Sequence, residues 1–190
     1  MMLSSSPAAA DDGAIAFPSA VQFETGDTWV HEGAKFRLFG VQACLRDTRY
    51  RRTGGEDGDC GMRSIGALAA LFSTNTIACQ PVGVAMDGAA FVVCAAEVGN
   101  TTVDVGTALI SSGFAFAAVR PSGAPVLPAY AVAEAVAKED GSGLWAGQFV
   151  HPGALLLPDE QSEIPEAEFE GLEDGSDLHH GQRLPGASVE

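Results

Sequence analysis

The sequence predicts an α+β fold: a five-stranded β-barrel with one helix after the third strand and two C-terminal helices. Three observations predict it. Three strand-like runs with turn residues between them open the chain, a stretch with helical spacing follows, and two further apolar runs, each carrying a cysteine, flank a turn containing glycine. The 190 residues, 46% of them hydrophobic, suffice for one domain with a real core plus a tail.

Residues 1–13 read either as a disordered Ala/Ser start or as the remnant of a signal peptide. Ala8-Ala9-Ala10 has the small-residue look of a cleavage site, and the apolar stretch that should precede one is missing. The domain is expected over 14–150. Its first strands are AIAFPSAVQFE (14–24), TWVHE (28–32) and KFRLFGVQA (35–43), with turns at Thr25-Gly26-Asp27 and Gly33-Ala34 forming a β-meander. Residues 44–60, polar and rich in glycine and charge, read as a loop with Cys44 and Cys60 at its ends.

In 61–72, Ile65, Leu68, Ala69 and Phe72 fall at helical spacing and predict one amphipathic helix packed on the sheet. The runs TIACQPV and AAFVVCAAEV then form a hairpin around 83–88. Centred between Met86 and Asp87, it pairs residues whose numbers sum to 173, so Cys79 faces Cys94. A second helix follows Asn100-Thr101-Thr102 and ends at Gly113. A third is expected from Tyr130 to about Asp140. Residues 151–190 read as an acidic, largely disordered tail, with Leu155-Leu156-Leu157 and Pro158 forming a strap on the barrel or an exposed docking segment.

Charge excludes some functions. The formal net charge is −15, and from 151 to 190 ten Asp or Glu face Arg183 alone, a net of −9, leaving −6 for the first 150 residues. A chain of this sign has no long-range attraction for nucleic acid, so such a function needs a local basic patch. The one cluster available is Arg46, Arg49, Arg51 and Arg52 with Tyr50 among them. An aromatic inside an arginine run can stack a base or meet an acidic partner, including the chain's own tail. No apolar run is long enough to span a membrane.

Four cysteines without a C-x-x-C, and with no histidine close by, argue against zinc and for disulfides. The loop ends and the hairpin register support Cys44–Cys60 and Cys79–Cys94 among the three possible pairings. Closing a loop of this size contributes about 3 kcal/mol in the chain-entropy account, and disulfides imply an oxidising compartment, hence export to a periplasm or the exterior.

The element order is that of a partly open barrel of OB type. Gly26-Asp27-Thr28 precedes a strand, Phe36-Arg37-Leu38 lies in the next, and Asp59-Cys60-Gly61 opens a helix. Val105-Gly106, Leu109-Ile110, Gly113 and Ala115 follow at set spacing, and Ala133-Glu134 with Gly143-Leu144-Trp145 closes the series. Across roughly residues 20–147 the chain thereby resembles the staphylococcal-nuclease-like (thermonuclease) family, its exported, cysteine-containing branch best of all.

Active members of that family are calcium-dependent phosphodiesterases that cut DNA and RNA. An Asp in a G-D-T turn and an Asp in a D-x-P-E segment hold Ca²⁺, the Glu of that segment is the general base, and arginines in an F-R-L strand and a Y-G-R turn bind the phosphate. The resemblance puts Asp27 at the first metal position and Arg37 at the first arginine. Gln42-Ala43-Cys44-Leu45 replaces D-x-P-E, and Asp87-Gly88-Ala89 replaces Y-G-R. Calcium prefers about six to eight oxygens, several from carboxylates. A positioned base contributes about 10²–10⁴-fold, and leucine cannot accept a proton.

The resemblance therefore implies a pseudoenzyme: an exported binding or interaction protein, needing no cofactor, that meets a protein or nucleic-acid partner through the arginine loop or the face near Arg37. On this reading Arg37 and Asp27 pair with each other and orient the sheet. Two alternatives stay open. A nuclease, with Ca²⁺, would draw relocated groups from Asp47, Glu56, Asp57 and Asp59; a structural subunit of an envelope assembly would use the acidic tail.

Overall fold

In a computed structural model, which describes residues 13–156 apart from 53 and 56, the run expected as one first strand is two. Pro18 has no N–H to give to a ladder. The chain forms β1 (Ile15–Phe17) before it and β2 (Gln22–Thr25) after it. β3 (Thr28–His31) and β4 (Ala34–Leu38) complete the meander. The expected third strand is also divided, because Gly40 takes φ +76°, a left-handed conformation that turns β5 (Val41–Ala43) out of the main sheet.

The stretch 44–60 is not a plain loop. It holds a short hairpin, β6 (Arg49–Arg52) against β7 (Asp57–Asp59), leading directly into α1 (Cys60–Thr74). Asp59 caps that helix, its carboxylate accepting from the Met62 N–H at 2.7 Å. β8 (Thr76–Val84) and β9 (Ala90–Val98) pair with numbers summing to 173 from Thr76–Glu97 through Pro81–Val92, Cys79 opposite Cys94. A bulge between Pro81 and Gly83 then shifts the register.

β10 (Thr101–Asp104) pairs with the end of β9 where a helix was expected to begin, and α2 (Val105–Ser111) starts only after Asp104 has capped it. β11 (Ala115–Ala117) pairs with β5. α3 (Pro128–Glu139) begins with proline at its first turn, where the missing N–H costs nothing. A 3-10 turn (Gly143–Ala146), β12 (Gly147–Gln148) pairing with β6, and α4 (Pro152–Leu156) end the described chain.

The main sheet runs β1-β8-β9-β4-β3-β2, with β4 and β9 parallel and β10 beside β9. Its edge strands, β1 and β2, are neighbours in sequence, yet the edges stay 11 Å apart. The five-stranded OB-type barrel with three helices is therefore corrected: the described residues form an α+β half-barrel, a curled six-stranded sheet that stays open, with four helices. The physical reason is the break at Pro18, which ends one ladder before the other begins.

Into the concave face α1 sends Leu68 and Phe72, four residues apart on one side of the helix. They meet Trp29, Phe17 and Phe36, with Phe17 edge-on to Trp29 at 5.3 Å and to Phe36 at 4.8 Å. Burying each such side chain contributes about 1.5–3 kcal/mol. A second cluster joins Cys44, Tyr50, Cys60, Phe116 and Leu144. Both disulfides, Cys44–Cys60 and Cys79–Cys94, are formed. No described helix is long and apolar enough to cross a membrane. The readings of residues 1–12 and of the tail from 157 onward lie outside the described residues, and α4 occupies the start of the segment read as tail.

Candidate functional site

The turn between β2 and β3 is pressed onto α1. A Cβ at Gly26 would stand 2.7 Å from the Ser64 carbonyl carbon, so only glycine fits. Ser64 is fully buried and ties three segments together, accepting from the Cys44 N–H at 3.3 Å and donating to the Phe114 carbonyl at 2.6 Å. This fixes Asp27, only 6% exposed, against β5.

Asp27 is fully engaged. One carboxylate oxygen accepts from the hydroxyls of Thr25 and Thr28, and the other from the Ala43 N–H at 2.9 Å. Arg37 does not pair with it, contrary to the expected ion pair. Its Nε donates to the Thr28 hydroxyl at 3.1 Å, and its Nη2 to Asp87 at 2.8 Å, on the turn between β8 and β9. A relay results: Asp27 accepts from Thr28, Thr28 accepts from Arg37, and Arg37 grips Asp87. The Ala89 N–H, and then Arg37, hold the Asp87 carboxyl below its ordinary value. Arg37 keeps one nitrogen, Nη1, without a partner among the described residues.

Beside this relay lies a cleft of about 410 Å³ whose walls are mostly apolar. Phe39 and Phe91, edge to face at 5.7 Å, share the lining with Arg37, Gln42, Leu45 and Leu156, and with Glu24, which is paired with Lys35 at 2.8 Å. Gln42 gives its amide to the Ala43 carbonyl at 2.9 Å. A second cavity of about 240 Å³ adjoins it, sharing Gln42, Ala118 and Leu156 and reaching His151. Sequence reasoning missed Phe39, Phe91 and Leu156. Only the parallel pairing of β4 with β9, which no local pattern announces, brings the first two together.

Calcium does not fit these residues. Asp27 spends its oxygens on three donors, and among the described residues no three His, Cys, Asp or Glu side chains converge to hold a metal ion. The acids proposed as replacements have other duties: Asp57 serves arginines, and Asp59 caps α1 and accepts from the Asp47 N–H at 2.6 Å. Glu56 lies outside the described residues.

The arginine cluster is likewise not an open loop. Tyr50 points inward and is only 2% exposed, so it cannot stack a base. Arg63 from α1 lies over its ring at 4.5 Å. On the outer face Arg49, at 2.6 and 3.0 Å, and Arg51, at 3.3 Å, share Asp57, whose carboxyl is held below its ordinary value chiefly by the hydrogen bond from Arg49. Arg46 and Arg52 are exposed at the two ends of this hairpin. Strand alternation in Arg-Tyr-Arg was the available signal, since period two puts Tyr50 opposite its neighbours. No protein-family model matches this chain, and no curated protein matches it either.

Proposed function

We propose that this is an exported, thermonuclease-like protein whose cleft binds an anionic ligand and does not hydrolyse it. One observation carries the reading: the cleft holds a guanidinium whose Nη1 has no partner among the described residues, in a lining that includes Phe39 and Phe91, while the nearby carboxylates are already engaged, Glu24 by Lys35, Asp27 by Thr25, Thr28 and the Ala43 N–H, and Asp87 by Arg37 itself. Leucine and glutamine stand where the family resemblance would put the base and a metal carboxylate. An arginine with apolar neighbours suits a phosphate or carboxylate carried on a flat or apolar body, such as a nucleic-acid end or an acidic peptide. Export is supported by two disulfides, which persist in oxidising compartments.

The test is an assay of the oxidised protein on single-stranded DNA, duplex DNA and RNA, in millimolar Ca²⁺ and in EDTA, beside Arg37→Ala. No cleavage is expected. A 5′-phosphorylated oligonucleotide should bind weakly and about tenfold more weakly to Arg37→Ala, because a hydrogen bond to a charged group contributes about 1.5–3 kcal/mol. Calcium-dependent cleavage lost in Arg37→Ala would overturn the reading.

A further inference from the structure

We propose that the ligand of this cleft is a single-chain anionic amphiphile, its carboxylate or phosphate on Arg37 and its hydrocarbon in the adjoining cavity. The inference narrows the anion-binding reading above and rests on it. Its first support is how the two spaces meet. They share Gln42, Ala118 and Leu156, while Arg37 lines only the larger cleft, and Ala117, Val119, Pro121 and His151 line only the smaller cavity. One molecule can therefore lie across the shared residues, charged at one end and apolar at the other.

The second support is that the smaller cavity has few hydrogen bonds to offer. The Ala118 N–H donates to the Gly40 carbonyl at 2.9 Å, and the Ala118 carbonyl accepts from the Val126 N–H at 2.8 Å. The Ala117 N–H donates to Glu134 at 2.6 Å. His151 uses both ring nitrogens. The Gly153 N–H can only donate, so Nδ1 accepts from it at 3.1 Å, and Nε2 donates to Glu134 at 3.1 Å. A nucleobase or a peptide placed there would bury polar edges with little to pair them, which is costly. Hydrocarbon has no such edges, and Ala117, Ala118, Val119, Pro121 and Leu156 give it a mostly apolar wall.

Volume sets the length of the chain. An apolar cavity of about 150 Å³ accepts benzene, so one of about 240 Å³ holds roughly eight to ten carbons.

The third support is local charge. Glu24 and Asp27 line the cleft with Arg37, and Asp87 grips that arginine, so three carboxylates stand against Arg37 and Lys35. A run of phosphates meets those carboxylates with every charge it carries. A single headgroup meets them once and needs only Nη1, which has no partner among the described residues. Most of the affinity must then come from burying the chain.

The experiment is calorimetric titration of the full oxidised chain with hexanoate, octanoate, decanoate and dodecanoate below their micellar concentrations, beside octyl phosphate, octanol and the 5′-phosphorylated oligonucleotide. Affinity should rise about two- to fourfold per methylene and level off near roughly ten carbons. Octanoate and octyl phosphate should both bind more tightly than octanol, and the tighter of the two identifies the source of the headgroup. Arg37→Ala should weaken both about tenfold and leave octanol unchanged. Leu156→Asp and Val119→Asp, at exposed positions where a charge leaves the fold intact, should each weaken decanoate several-fold, whereas Val132→Asp on the exposed side of α3 should not. Affinity independent of chain length, or a length dependence untouched by both lining variants, would overturn the proposal. Oligonucleotide binding that is lost in Arg37→Ala, with no binding of the alkyl anions, would sink it and leave the anion-binding reading standing. If no anion depends on Arg37, the reading fails and takes the inference with it, so the two failures are distinguishable.

Discussion

The cleft beside Arg37 and the hairpin carrying Arg49, Arg51 and Arg52 hold charged residues that look equally available in the sequence, and the fold treats them in opposite ways. In the hairpin, Arg49 and Arg51 find Asp57 only eight and six residues away, and Tyr50 between them goes into the core. In the cleft, Arg37 reaches Asp87 across fifty residues, and Asp27 reaches the Ala43 N–H across sixteen. Local pairing consumes charge at the surface. Pairing through the sheet instead builds a wall, with Nη1 of Arg37 left without a partner among the described residues. A basic run therefore says less about binding than a lone arginine inside an apolar strand.

The largest effect that sharpens this contrast is expected at the residue most resembling a ligand contact. Tyr50→Ala should destabilise the protein by about 3–5 kcal/mol, as truncation of a buried aromatic does, in urea unfolding followed by the fluorescence of Trp29 and Trp145. An exposed stacking residue would cost almost nothing. A near-neutral result would mean that Tyr50 is accessible after all and would return the hairpin to the list of base-stacking surfaces.

Asp27→Ala comes next. It orphans the buried Ala43 N–H and two hydroxyls, and although the hydroxyls can turn elsewhere, the amide cannot; a cost of about 2–4 kcal/mol is expected. Added Ca²⁺ should leave the midpoint of the unaltered protein where it is, because an ion bound only by the folded state would raise it. A calcium-dependent rise abolished by Asp27→Ala would make Asp27 a ligand rather than a peg.

These two residues also show what the sequence made legible. Hairpin arithmetic gave the Cys79–Cys94 register, because antiparallel pairing is local and fixed by one turn. α1 was legible from Leu68 and Phe72. The Tyr50 position was legible from alternation but was masked by the glycines and charges around it. Closure of the sheet was not readable from element order: it depends on whether the ladder continues past Pro18, and a strand-like run on both sides conceals that break. The partner of Arg37 was hidden for another reason. Asp87 sits on the turn of a long hairpin, and its approach depends on the bulge near Val82 and on the parallel pairing of β4 with β9, neither of which spacing records.

The smallest effect separates the two regions by salt and pH. Asp57 is held below its ordinary carboxylate value of 3.8 by Arg49 and, less strongly, by Arg51. A depressed carboxylate contributes stability that is present above the unfolded value and lost as pH falls through the folded one, so any loss from this group falls below pH 3.8. Asp57 is exposed, water and salt screen the pair, and Asp57→Asn should shift the urea midpoint at pH 7 only slightly, with the shift vanishing in high salt. Asp87 is depressed in the same direction, but its first cause is the Ala89 N–H, a backbone contact that salt does not screen away. Asp87→Ala, which removes the acceptor of that N–H, should therefore keep a measurable part of its effect in high salt, and it should free Arg37, strengthening oligonucleotide binding while Asp57→Asn leaves that binding alone. Equal salt dependence at the two positions, or tighter binding from Asp57→Asn, would erase the distinction between a hairpin that spends its charges on itself and a cleft whose arginine keeps one nitrogen without a partner among the described residues.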